Sequence, residues 1–231
     1  MSLADWQREL AARIAAPHAA AAAAGDPGQP GLALTRMLQR NWRHTRLTHA
    51  LPLTMRALPA GARHALLSDY CDACPCVSFF PVHEARGFAG FLAALDSSPP
   101  HAASIAAMEV ALIDAFEAGV FADAAAPRAD AAGSLQMARG ASRVRFTAPP
   151  EQVLASALAR REPPPPTAED HELLIAPGIP GLARPASAAE RRLLDLCAAG
   201  AVHIPVELAA AAATLLAERV VVSMPRQLEG P

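Results

Sequence analysis

Ser142–Thr147 reads SRVRFT, and at this point the spacing of apolar side chains falls from the helical 3.6 to the strand value of 2. Val144 and Phe146 share one face, Arg143 and Arg145 the other, and Gly140 and Pro149 bound the segment, which predicts a half-buried strand. The fold class follows from that change of period. It predicts a mainly α chain: a helical array over residues 1–122, then a small α+β, winged-helix-like domain over 134–231. The Ala/Asp/Pro/Gly-rich Ala122–Gly133 reads as the linker.

Working back from the strand, Ile105, Met108, Leu112 and Phe116 mark an amphipathic helix, and Asp96-Ser-Ser-Pro-Pro breaks the chain before it. A helix is expected near Glu84–Leu95, preceded by the apolar loop CPCVSFFP over residues 74–81. Pro59-Ala-Gly leads into a helix over about 62–73, and Leu53–Leu58 reads as a short one. Leu34–Ala50 reads as a long helix with Leu34, Met37, Leu38 and Trp42 inward and its arginines outward; Pro52 stops it. The first helix, Leu3–Ala16, has Ser2 as its cap and Leu3, Trp6, Leu10 and Ile14 on one face.

Working forward, Pro150 opens a short helix to about Arg160, and Pro163–Pro166 is a stiff spacer. HELLIA, residues 171–176, reads as a second strand. Ser187 and Glu190 form a capping box, and Ile204-Pro205 starts a helix to Leu216 before the strand Val220–Val222. Helix, turn, helix, strand is the winged-helix outline, which many functions share.

Every one of the 20 basic residues is arginine, and the net charge is −2. Pro27–Ser68 holds six arginines and no acid, whereas Asp69–Asp130 holds nine acids against Arg86 and Arg128. Adjacent blocks of opposite sign attract within one fold, a simpler reading than a nucleic-acid patch. No run is apolar enough for a membrane span and the first residues are acidic where a signal peptide is basic, so a cytoplasmic chain is expected.

Cys71-x-x-Cys74-x-Cys76 lacks a matching second pair of ligands, so buried thiols are expected rather than metal. The histidines show no ligand spacing, and nucleophile or phosphate-loop motifs are missing. No catalytic residue, metal or cofactor is expected. Glu109 borders a buried stripe and calls for an arginine from the 40–46 helix.

Residues 1–122 resemble the N-terminal domain of the HvfC/BufC family, which an older name described as DNA-binding. The stretches that carry the likeness are SLADWQRELAARI, RNWRHTRLTHALPLTMRAL, DYCDACP, RGFAGFLAAL and IAAMEVALIDAFEA. Trp42, Leu51-Pro52, Tyr70, Cys74-Pro75 and Glu109 occupy pattern positions; Leu51 stands where phenylalanine is usual and Ala107 where arginine is. RVRFTAPPEQVLASAL and HELLIAPGIPG are similar, more loosely, to the C-terminal part of such proteins, the methanobactin one included.

The resemblance implies a non-catalytic partner of a multinuclear non-haem iron oxidase that modifies ribosomally made precursor peptides. In such a partner the C-terminal domain helps bind the precursor. Trp42, Arg43, Arg46, Phe79 and Phe80 are then the candidate oxidase interface, and Arg143, Val144, Arg145 and Phe146 the candidate peptide-binding strand, the alternative being that the Pro163–Pro166 segment covers that strand's edge. The alternative is a DNA-binding regulator using Arg191 and Arg192 or the basic helix. The helix from Ile204 to Leu216 carries Glu207 and no arginine, which disfavours DNA reading.

Overall fold

The computed structural model describes residues 2–15, 30–75, 78–120, 134–199 and 204–224, so the expected linker and Cys76 lie outside the described residues. The chain divides into two compact units, Met1–Ala106 and Ala107–Pro231. It is mainly helical with a few short strands.

In the N-terminal unit α1 is Leu3–Ala15, α2 Pro30–Ala50, α3 Pro52–Ala57, α4 Ala60–Ala73 and α5 Pro81–Ala94; α6, Ala102–Val120, carries the division between the units. Ser2 Oγ accepts the Asp5 N–H at 3.1 Å and Asp5 Oδ2 accepts the Ser2 N–H at 3.1 Å, a reciprocal cap on α1. Pro52 and Pro81 occupy first-turn positions of α3 and α5, where a missing N–H costs nothing. Leu47, Leu51, Leu58, Phe88, Leu92 and Ile105 are fully buried and form the centre of the unit.

The long helix α2 forms where the sequence predicts it, but turned over. Leu34, Met37, Leu38 and Trp42 are at least half exposed, while Leu32, Arg43 and Leu47 are buried. Its arginines point inward and find partners there. Arg36 donates to the Arg13 carbonyl, Arg40 pairs with Asp72, and Arg43 and Arg46 reach Glu84. The opposite-charge blocks therefore meet inside one unit. Long arginine stems fill a helix interface as hydrocarbon and deliver a charged end to a carboxylate, so α2 can bury this face.

In the C-terminal unit β1 is Ser134–Met137, β2 Ser142–Phe146, α7 Pro150–Ala159, β3 His171–Ile175, β4 Ala183–Pro185 and α8 Ala188–Ala198. A short 3-10 turn, Val206–Leu208, leads into α9, Ala209–Ala217, and β5, Val221–Met224. Strands β2, β3 and β4 form an antiparallel sheet in that order, and β1 pairs antiparallel with β5. Strands β1 and β4, not foreseen from the sequence, are only four and three residues long.

The register puts Val144, Phe146, Leu173 and Ile175 on one face of the three-stranded sheet, where they are buried, and α7 packs against β3. Leu174, on the opposite face, joins Leu193, Leu194, Leu208, Leu215 and Val221 in a core shared with α8, α9 and β5. The predicted capping box forms: Ser187 Oγ accepts the Glu190 N–H at 3.3 Å and Glu190 Oε2 accepts the Ser187 N–H at 2.8 Å. Gly178 lies against the Glu218 backbone, where a Cβ would sit 2.4 Å from the carbonyl oxygen. Phe116, expected in the buried stripe of α6, is exposed; Ile105, Met108, Ala111 and Ala115 fill that stripe.

Candidate functional site

Glu84 lies in the first turn of α5, where the helix dipole favours an acid. It is buried, and Arg43 Nε donates to its Oε1 at 2.7 Å while Arg46 Nη2 lies 3.5 Å from Oε2. Arg43 Nη1 donates to the Cys71 carbonyl at 3.1 Å. Its Nη2 is buried without a hydrogen bond, and the ring of Tyr70 lies 4.8 Å from Cζ, a cation–π contact. Tyr70 donates its hydroxyl to the Glu84 carbonyl at 3.2 Å and packs edge-on against Phe88 and Phe91. Burial pushes the Tyr70 phenol well above its ordinary value, so it remains a donor.

Beside this cluster lies a cavity of about 150 Å³ lined by Tyr70, Cys74, Pro75, Ser78, His83, Glu84 and Gly87. That volume suits one small side chain; ligand and cofactor sites run to about 300–1,000 Å³. At its mouth Ser78 Oγ accepts the Phe80 N–H at 3.1 Å and lies 2.8 Å from His83 Nδ1. This turn holds Phe79 and Phe80 outward, 80% and 68% exposed. Burial raises the Cys71 thiol above its ordinary value, the environment of an unreactive cysteine. Among the described residues no group of three or more His, Cys, Asp or Glu is placed to hold a metal ion.

The candidate interface residues are thus placed unequally. Trp42, Phe79 and Phe80 are exposed, whereas Arg43 is buried and Arg46 mostly so; these two arginines hold α2 to α5. Arg46 Nη1 also donates to the Ser78 carbonyl at 3.3 Å, tying the aromatic turn to the helix that bears Trp42. Sequence reasoning passed over Glu84, whose signal was the acidic block facing six arginines. Glu109 is buried, as its position beside the stripe implied.

His44 on α2 and His64 on α4 meet edge to face at 5.6 Å between ring centres. Burial, then the neighbouring His64 and Arg40, hold the His44 imidazole below its ordinary value of 6.5. Its folded form therefore takes up a proton less readily than its unfolded form. Stability is present above pH 6.5 and is lost as pH falls below it. Thermal melts between pH 7.5 and 5.5 should show this slope, and His44→Gln should flatten it; an unchanged slope would assign it to another group.

On the sheet, β2 is an outer strand. Ala186 donates to the Glu172 carbonyl and Ala176 to the Leu182 carbonyl, so the even residues of β3 turn their backbone groups toward β4. The odd ones then bond to Ser142, Val144 and Phe146, and the N–H and C=O of Arg143 and Arg145 point to the outer edge. Ala141 N–H donates to the Ala138 carbonyl and Thr167 N–H to the Thr147 carbonyl, closing the two ends of that edge.

Of the candidate peptide residues, Val144 and Phe146 have side chains in the core and can offer only backbone. Arg143 is held by Glu172, at 2.7 and 3.0 Å, and by Asp195 at 2.7 Å. Arg145 meets Glu172 at 3.2 Å with its side chain 68% exposed. Arg184 is pinned between Glu190 and Glu218, whose hydrogen bonds raise its already high value. The chain matches no family model, no curated protein and no solved structure.

Proposed function

We propose that this chain is a non-catalytic partner protein that docks a multinuclear non-haem iron oxidase and helps bind the precursor peptide of a ribosomally made natural product. The observation that carries the reading is the outer edge of β2. Two residues there turn both backbone hydrogen-bonding groups outward, and one of them, Arg145, adds an exposed cation. An extended peptide can add to such an edge as a further strand, its main chain supplying affinity and an acidic side chain meeting Arg145. Trp42, Phe79 and Phe80 supply the docking face for the oxidase, in keeping with the HvfC/BufC resemblance of the sequence.

The order α8, turn, α9, β5 supports a winged-helix-like reading of the C-terminal unit. The helix a DNA reader would insert in the groove carries alanines, leucines and a threonine, with Glu207 in the turn before it. That composition supports packing rather than phosphate contact.

The register selects the test. Val144 N–H serves the ladder to β3, so proline there would damage the sheet itself; Arg145 N–H faces outward, so Arg145→Pro removes one docking donor from an edge position that tolerates proline. Calorimetry with the precursor peptide should show Arg145→Pro weakening binding at least about tenfold, equivalent to roughly 1.4 kcal/mol, with circular dichroism unchanged. Equal binding by the variant would move the peptide site elsewhere. Failure of the chain to co-purify with a co-expressed oxidase would remove the docking half of the reading.

A further inference from the structure

We propose that the outward face of α2 is a homodimer surface, closed by a second copy of this chain across a two-fold axis at Leu38. Leu34, Leu38 and Trp42 recur at intervals of four and share one face of the helix, with Met37 at its margin. Trp42 is 65% exposed and the other three about half exposed. The exposed remainder of the helix is Gly31, Ala33, Gln39, Asn41, Thr45, Thr48 and His49, and Arg46, next in the same row, turns its guanidinium to Glu84 and the Ser78 carbonyl. A soluble helix ordinarily turns its charges to water, and this one spends them inside on Asp72, Glu84 and backbone carbonyls.

Charge and symmetry together select the occupant. With Arg46 held by Glu84, the face presents little free charge to repel its own copy. Leu34 and Trp42 are symmetric about Leu38. An antiparallel crossing there sets Leu38 on Leu38, Leu34 on Trp42 of the other copy, and Met37 against Gln39. It also sets Thr45 against Gly31, where nothing lies within 4 Å of the position a Cβ would take, so the two helices can approach closely. Each contact is made twice, as an isologous interface requires.

The Arg46–Ser78 bond brings Phe79 and Phe80 to the Trp42 end of the stripe. With them the exposed apolar side chains amount to on the order of 700 Å² per protomer, the most they can add to an interface in which each partner ordinarily contributes roughly 800 Å². The surface overlaps the proposed oxidase-docking face, so a second copy and the oxidase compete for it; the dimer itself does not depend on that reading.

The test uses the full chain alone, in sedimentation velocity from micromolar to hundreds of micromolar. A reversible monomer–dimer equilibrium is expected, and Leu38→Glu, which sets two carboxylates face to face at the axis, should weaken it at least about tenfold. Leu38 is exposed, so this variant keeps its fold, checked by circular dichroism. Mild oxidation should link Leu38→Cys to itself beyond the level seen with the unsubstituted chain. Leu34→Cys should link to Trp42→Cys in a mixture and not to itself. A chain that stays monomeric overturns the proposal, and does so whether or not the oxidase binds. A dimer indifferent to Leu38→Glu, or self-linking at position 34, overturns it equally.

Discussion

Glu84→Ala is expected to cost the N-terminal unit about 3–5 kcal/mol, a large share of the 5–15 kcal/mol that holds a typical domain together. The loss exceeds that of a surface ion pair because both side chains are out of water: 6% and 3% exposed for Arg43 and Glu84. Removing the carboxylate leaves a buried guanidinium with one carbonyl and the Tyr70 ring, and it also takes the ion partner of Arg46. Replacing the pair together, as Arg43→Met with Glu84→Leu, should recover much of the loss, since well-packed apolar residues can stand in for a buried pair. Urea denaturation gives the size, and hydrogen exchange of the α4 and α5 amides locates it. A change below about 1 kcal/mol for Glu84→Ala would mean that water already reaches the pair.

Phe146→Ala should destabilise the C-terminal unit by about 3–5 kcal/mol through the cavity it leaves. The ring is fully buried on the face of the sheet shared with Val144, Leu173 and Ile175. It belongs to the candidate peptide strand, so peptide binding would fall with it, but through loss of the strand. Arg145→Pro separates the two causes, because it alters the outer edge and leaves the buried face intact. Should Phe146→Ala lower binding while the melting temperature of the unit holds, the ring would be a peptide contact rather than a core residue.

The local elements follow from short stretches of chain. Period, prolines in first turns and the Ser187–Glu190 capping box locate helices to within a few residues, because each signal acts over one or two turns of chain. The strands β2 and β3 were legible for the same reason. Strands β1 and β4 were not: runs of four and three residues hold too few side chains to show alternation, and β1 exists only because β5, far along the chain, pairs with it.

The facing of α2 belongs to tertiary structure. Period shows that the helix has an apolar stripe and a basic stripe, and a hydrophobicity rule sends the apolar stripe inward. The outcome is the reverse because Asp72 and Glu84 lie on the helices packed against it, and paired arginines with long hydrocarbon stems satisfy a buried interface. That choice turns Leu34, Leu38 and Trp42 outward and takes Arg43 out of the surface. The backbone groups of β2 follow the same logic, since which of them face outward depends on the phase of β3 against β4. Local chemistry sets what each segment is; the partners it meets across the fold set which side of it the rest of the cell can touch.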